Sequence, residues 1–103
     1  MLSPLPTVVR LHEGEIAELC RRYRIKELSI FGSASRGETG PDSDIDLLVE
    51  FLPGASISLL GHFAAERELS EILRCKVDLV SKRALREPLR REITPQARLL
   101  YEA

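Results

Sequence analysis

The sequence lacks the features that are typical of several common protein classes. Its two cysteines, Cys20 and Cys75, lie far apart, so it predicts neither a disulfide framework nor a zinc site, and both thiols are expected to stay reduced. It has no secretory signal and no apolar run approaching a membrane span, which predicts a cytoplasmic protein without membrane association. With 15 Lys and Arg against 16 Asp and Glu, it also lacks the basic excess typical of direct nucleic-acid binding.

The remaining composition is that of a folded protein. Of the 103 residues, 44% are hydrophobic and 30% are charged, close to the average for soluble domains and unlike a disordered chain. This length supports one domain over residues 1–103, with a fairly small hydrophobic core.

Hydrophobic periodicity predicts alternating helices and strands. A helix is expected from Thr7, followed by a strand at 25–31, a strand at 44–51, a long helix at about 58–73 and a strand at 76–80. A short helix at 81–89, interrupted at Pro88, and an edge strand or tail at 97–101 are expected to follow. The apolar face of the long helix is expected to comprise Leu60, Phe63, Ala64, Leu69, Ile72 and Leu73.

Two aspartates open the strand predicted at 44–51. Residues two apart in a strand point to the same face, so Asp44 and Asp46 project together, with their Cα atoms roughly 7 Å apart. Carboxylates held this close repel each other unless one is protonated or a cation lies between them. The pair therefore indicates a site for a hard divalent ion.

Gly32 and Ser33 follow the preceding strand and suggest a phosphate site. Glycine allows a sharp turn and a close approach to a ligand, and Ser33 would cap a short helix whose N-terminal N–H groups could hold phosphate. The glycines fit neither the dinucleotide-binding fingerprint nor the P-loop. Together with the aspartates, this layout predicts Mg²⁺-dependent handling of a nucleoside triphosphate.

A third carboxylate is expected on a separate strand. Asp78 lies between apolar residues in the strand at 76–80, where a carboxylate is costly unless paired or metal-bound, and it is favoured over Glu50. Arg36 is either a phosphate contact or the partner of a structural ion pair with Glu38 or Asp42. His62, a lone histidine on a helix, is expected to be a surface or packed residue.

These motifs resemble the signature of minimal nucleotidyltransferases, small members of the DNA polymerase β-like nucleotidyltransferase superfamily. The resemblance covers nearly the whole chain and is carried by Gly32-Ser33-x-x-Arg36-Gly37 followed by Asp42-Ser43-Asp44-Ile45-Asp46-Leu47-Leu48-Val49. It implies an α/β (α+β) fold with a small mixed β-sheet and flanking helices. It also implies ATP bound through two Mg²⁺ ions, with Asp44, Asp46 and Asp78 as metal-binding and catalytic residues.

The resemblance further implies a partner and a reaction. Small members of this kind often act as the antitoxin of a HEPN-domain toxin, a helical ribonuclease, by transferring AMP from ATP to a toxin tyrosine. Gly32, Ser33 and Arg36 would then bind the nucleotide, and Asp78 could serve as general base. Two alternatives remain: a non-catalytic antitoxin that neutralises its partner by binding alone, and the catalytic part of another small nucleotidyltransferase.

Overall fold

The computed structural model describes residues 5–32 and 44–103. In chain order, its helices and strands are α1 (Thr7–Leu11), α2 (Glu13–Arg22), β1 (Ile25–Phe31), β2 (Ile45–Phe51), α3 (Leu59–Leu73), β3 (Val77–Ser81), α4 (Leu89–Ile93) and β4 (Arg98–Glu102). Single 3₁₀ turns at Lys82–Ala84 and Thr94–Gln96 flank α4. None of these helices is long and apolar enough to cross a membrane.

The four strands form one mixed sheet in the order β3-β2-β1-β4. Strand β1 is antiparallel to both β2 and β4, whereas β2 and β3 are parallel. Parallel neighbours need a long crossover connection, and α3 provides it. The expected mixed sheet with flanking helices is confirmed.

The two faces of the sheet are covered unequally. One face carries the main core, in which alternate residues of β1, β2 and β3 pack against α2 and α3; this core includes Leu19, Leu28, Ile30, Ile45, Leu47, Val49, Leu69, Leu73, Val77 and Leu79. The other face has a smaller cluster formed by Phe31, Leu48, Leu85 and Ile93. Because side chains alternate along a strand, Asp46 and Asp78 lie on this second, less covered face.

Several predicted elements agree closely with the structure. Strand β1 has the expected bounds, and α3 begins one residue after Ser58, whose Oγ accepts a hydrogen bond from the Gly61 amide at 3.1 Å. Strand β2 begins at Ile45, so Asp44 immediately precedes it. Of the two alternatives for residues 97–101, the edge strand is confirmed as β4.

The predicted helices at both ends of the chain differ from those observed. The first helix is broken at His12 into α1 and α2. The prediction of a helix at 81–89 is wrong. Only a 3₁₀ turn forms there, and α4 begins after Pro88. Proline lacks an amide hydrogen and cannot continue a helix, but it is well tolerated where a helix starts.

The buried face of α3 agrees with the predicted one at Leu69, Ile72 and Leu73 but not in the first turns of the helix. Ala65, Leu69 and Leu73 are buried at four-residue spacing, whereas Leu60 is 82% and Phe63 51% exposed. Apolar residues surround the first turns of α3, so their periodicity does not identify the inward face.

Both cysteines are free thiols, as the sequence predicts. Burial raises the pKa of the Cys20 thiol to about 12, which keeps it protonated and unreactive near neutral pH.

Candidate active site

The parallel pairing of β2 and β3 brings two predicted site residues together. Asp46 is the register partner of Asp78, and both side chains are half-buried on the less covered face of the sheet. Neighbouring strands lie about 4.8 Å apart, so the two carboxylates start from adjacent backbone positions. Two residues distant in sequence thus form one acidic pair.

Asp44 lies just outside this pair, at the start of β2. It has the same strand parity as Asp46 but is more exposed, and its Oδ2 lies 3.9 Å from the Lys76 Nζ. The Ile45 amide donates a hydrogen bond to the Lys76 carbonyl at 2.9 Å, which is the first backbone hydrogen bond between β2 and β3. Asp44 and Lys76 therefore lie at the same end of the two strands. Asp44 is therefore the outermost carboxylate of the three.

The electrostatics of Asp46 reflect its position between the other acids. Burial raises the pKa of the Asp46 carboxyl, and the negative charges of Asp78 and Asp44 raise it further. The ionised form of Asp46 is consequently less favoured than that of a solvent-exposed aspartate, and nearby positive charge would oppose this effect.

Gly32 lies directly against Asp46 at the end of β1. Its φ is +73°, a left-handed conformation that side chains rarely adopt, and a Cβ built there would lie 2.8 Å from the Asp46 Oδ2. Glycine is thus required both for the turn and for the close approach to the carboxylate. Binding of nucleotide by Gly32 stays a prediction.

Two other predicted nucleotide contacts, Ser33 and Arg36, lie outside the described residues, so their roles also stay predictions.

Glu50, the rival third carboxylate, lies at the other end of β2. Its side chain is within 3.7 Å of the Lys82 Nζ and 3.9 Å of the Lys26 Nζ, and its register partner on β1 is Glu27. Glu50 thus belongs to a separate group of charges. The strand register places Asp78, and not Glu50, beside Asp46.

The predicted packing role of His62 agrees with the structure. Its Nε2 lies 2.8 Å from the Leu79 carbonyl, and its ring packs edge-on against Phe51. Lys76 and Glu66 were not predicted as residues near the site. Lys76 lies close to Asp44, and the Glu66 Oε2 accepts a hydrogen bond from the Leu79 amide at 2.8 Å. Both contacts depend on where β3 packs in the fold, and the local sequence does not determine that.

The donor chemistry of the three aspartates fits a divalent cation that prefers oxygen ligands. The negative charges of Asp78 and Asp44 raise the pKa of Asp46, and repulsion among carboxylates is what such a cation relieves. In the described ranges 5–32 and 44–103, however, no three His, Cys, Asp or Glu side chains are gathered closely enough to hold a metal ion. Of the three, Asp44 is the most exposed, and its Oδ2 lies 3.9 Å from the Lys76 Nζ.

The small mixed sheet with flanking helices is the fold of a polymerase β-like nucleotidyltransferase. In this chain, the sheet brings together acids on two parallel strands, with a glycine packed against one of them. The chain belongs to the nucleotidyltransferase domain family, whose pattern matches residues 15–101.

Curated relatives cover most of this chain. A Methanocaldococcus jannaschii protein, provisionally named a protein adenylyltransferase, is 38% identical over 87 residues, or 84% of this chain and 84% of the relative. Protein adenylyltransferase MntA of Thermococcus cleftensis is 34% identical over 94 residues, or 89% of this chain and 88% of the relative.

Solved structures share the fold. A chain in a crystal structure of a toxin–antitoxin with AMP-PNP is 27% identical with a TM-score of 0.72, covering 88% of this chain and 73% of that one. A chain in the structure of a tri-AMPylated Shewanella oneidensis HEPN toxin in complex with an MNT antitoxin is 25% identical with a TM-score of 0.67. That match covers 92% of this chain and 73% of the other.

Proposed function

We propose that this nucleotidyltransferase is a protein adenylyltransferase antitoxin, which transfers AMP from ATP to a tyrosine of a HEPN-domain toxin and thereby neutralises it. The observation that carries the proposal is the adjacent pair Asp46 and Asp78, with Asp44 beside it and Gly32 against it. The names of the relatives and the AMPylated toxin in a related complex support the reaction and the partner.

The reaction joins the tyrosine hydroxyl oxygen to the α-phosphorus of ATP. The bond from this phosphorus to the oxygen bridging to the β-phosphate breaks, and pyrophosphate leaves. Tyrosine is a poor nucleophile near neutral pH because its reference pKa is about 10. We assign Asp78 as the acceptor of the hydroxyl proton, and its position opposite Asp46 on a separate strand supports this role.

Asp44, Asp46 and Asp78 are the residues that would hold Mg²⁺, and we propose two ions at this site. When bound, such ions promote ionisation of the attacking hydroxyl and neutralise charge on the leaving pyrophosphate. The raised pKa of Asp46 supports this assignment, because positive charge would favour its ionised form.

Gly32, Ser33 and Arg36 are proposed to bind the ATP phosphates. Because Gly32 has no side chain, its backbone lies against the Asp46 carboxylate, so a phosphate bound to this turn would be close to the acidic group. Residues 1–103 would act as one nucleotidyltransferase domain, with the acceptor presented by the partner. Because ATP is the donor, we place the reaction in the cytoplasm.

An isotope-labelling experiment tests this function. The full chain is incubated with Mg²⁺, a cognate HEPN protein and ATP labelled either at the α-phosphate or at the γ-phosphate. We expect label in the partner from α-labelled ATP only, and none with the Asp44→Asn/Asp46→Asn variant. Label from the γ-phosphate would indicate phosphorylation instead, and no label from either would favour neutralisation by binding alone.

A further inference from the structure

Strand β3, which carries Asp78, is the edge of the sheet opposite β4. An edge strand pairs on one side only, so alternate residues direct their backbone N–H and C=O groups away from the sheet. In β3 these residues include Val77 and Leu79, which immediately flank Asp78. Without partners on the outer side, β3 would be held by its hydrogen bonds to β2 alone.

Three side chains of α3 occupy the open edge of β3. The Leu79 amide donates to the Glu66 Oε2 at 2.8 Å, and the His62 Nε2 donates to the Leu79 carbonyl at 2.8 Å. The Val77 amide donates to the Ser70 Oγ at 3.2 Å. These side chains follow one another at four-residue spacing along one face of α3 and replace the hydrogen bonds of a missing strand.

Asp78 is therefore held from both sides. Its own position pairs with Asp46 on β2, while the residues before and after it are anchored to α3. Of the two amide contacts, the one to Glu66 is the shorter, at 2.8 Å against 3.2 Å for Ser70, and its acceptor is a carboxylate, which makes it the stronger hydrogen bond. These anchors lie on the helix and do not belong to the acidic group around Asp46.

We propose that His62, Glu66 and Ser70 are positioning residues that hold Asp78 beside Asp46, with Glu66 contributing most. This inference rests on the proposed role of Asp78 as a metal-binding carboxylate. Groups that hydrogen-bond to a metal ligand typically affect metal affinity or activity by about 10-fold to 100-fold, and we expect anchors of the adjacent backbone to act near the lower end of that range. The effect requires a hydrogen-bond acceptor at residue 66 and not a negative charge.

The test compares the wild-type chain with four variants on α3 and with Asp78→Asn. Glu66→Ala removes the acceptor, Glu66→Gln keeps an acceptor oxygen, and Ser70→Ala removes the neighbouring anchor. Glu71→Ala is the matched control, because Glu71 is exposed on the same helix. The readouts are hydrogen exchange at the Leu79 and Val77 amides, affinity for Mn²⁺ alone measured by line broadening, and kcat and KM for AMP transfer.

For Glu66→Ala, we expect faster exchange at the Leu79 amide, Mn²⁺ affinity lower by about tenfold or more, and a similar fall in kcat with KM for the partner unchanged. Glu66→Gln and Glu71→Ala should behave like the wild type. Ser70→Ala should expose the Val77 amide and weaken Mn²⁺ binding by a smaller factor, which keeps the test informative if Glu66→Ala does not fold.

The proposal is overturned if the anchored amides become exposed while Mn²⁺ affinity and kcat are unchanged, or if Glu66→Gln is as defective as Glu66→Ala. Asp78→Asn tests the metal-binding role of Asp78 separately from the role of the side chains that anchor its neighbours. Unchanged Mn²⁺ affinity in that variant would overturn both the role of Asp78 and this inference. If the wild type transfers no AMP but the Mn²⁺ affinities follow the expected order, only the proposed function fails.

Discussion

Asp46→Asn is expected to lower the rate of AMP transfer by more than about a hundredfold and, without metal, to raise the melting temperature. The loss of activity follows because Asp46 is the carboxylate that neighbours both Asp44 and Asp78. The gain in stability follows because asparagine is nearly isosteric with aspartate and removes the charge that those neighbours repel.

The stability gain has a defined pH dependence. Burial and neighbouring charges raise the pKa of Asp46, so the folded state binds a proton there more tightly than the unfolded chain. The unfolded carboxyl ionises near its ordinary pKa of about 3.9. The tighter binding of this proton stabilises the metal-free folded state. That stabilisation is fully present below the pKa of the unfolded carboxyl and is lost as the pH rises through the raised pKa of Asp46. The variant cannot ionise, so its advantage should be greatest above the raised pKa.

Thermal melts in EDTA across this pH range, together with AMP-transfer rates in Mg²⁺, test the prediction. Glu92→Gln is a suitable control, because it also removes one carboxylate but from an exposed position on α4. A melting temperature many degrees lower for Asp46→Asn than for the wild type in EDTA would instead make Asp46 a structural residue.

Gly32→Ala is expected to destabilise the protein by about 1–3 kcal/mol and to abolish most AMP transfer. Its positive φ accounts for the strain, and the added Cβ would lie 2.8 Å from the Asp46 Oδ2. Asp46 has a short side chain, so relieving this contact requires its carboxylate to turn away from its present position. Stability and activity should therefore fall together.

Gly54→Ala separates the two causes. Gly54 has a similar φ of +83°, but nothing lies within 4 Å of the position of its Cβ. Chemical denaturation should give comparable losses from backbone strain in both variants, whereas only Gly32→Ala should lose activity. Equal activity in the two variants would mean that the close approach of Gly32 to Asp46 has no catalytic importance.

The sequence predicted best those features that have local signals. Ser58 marked the start of α3, and the apolar residues before Gly32 marked β1 with its correct bounds. Strand alternation placed Asp44 and Asp46 on one face. The proximity of Asp78 came from the resemblance and from the cost of a mid-strand carboxylate, since only the crossover through α3 determines the register that pairs it with Asp46.

The remaining features depend on tertiary contacts. The exposed positions of Leu60 and Phe63 could not be predicted, because apolar residues occur on several sides of the first turns of α3. The start of α4 after Pro88 was missed because proline ends one helix pattern as readily as it begins another. The anchoring of β3 by Glu66 likewise joins residues that no periodicity relates.

Intact-mass spectrometry of a cognate HEPN partner, after incubation with this protein, ATP and Mg²⁺, tests the central claim most directly. The account predicts added mass in steps of one AMP on a tyrosine, with loss of toxin activity, and no added mass with Asp44→Asn/Asp46→Asn. An unmodified partner that this double variant neutralises as well as the wild type would contradict the enzymatic account and identify an antitoxin that acts by binding.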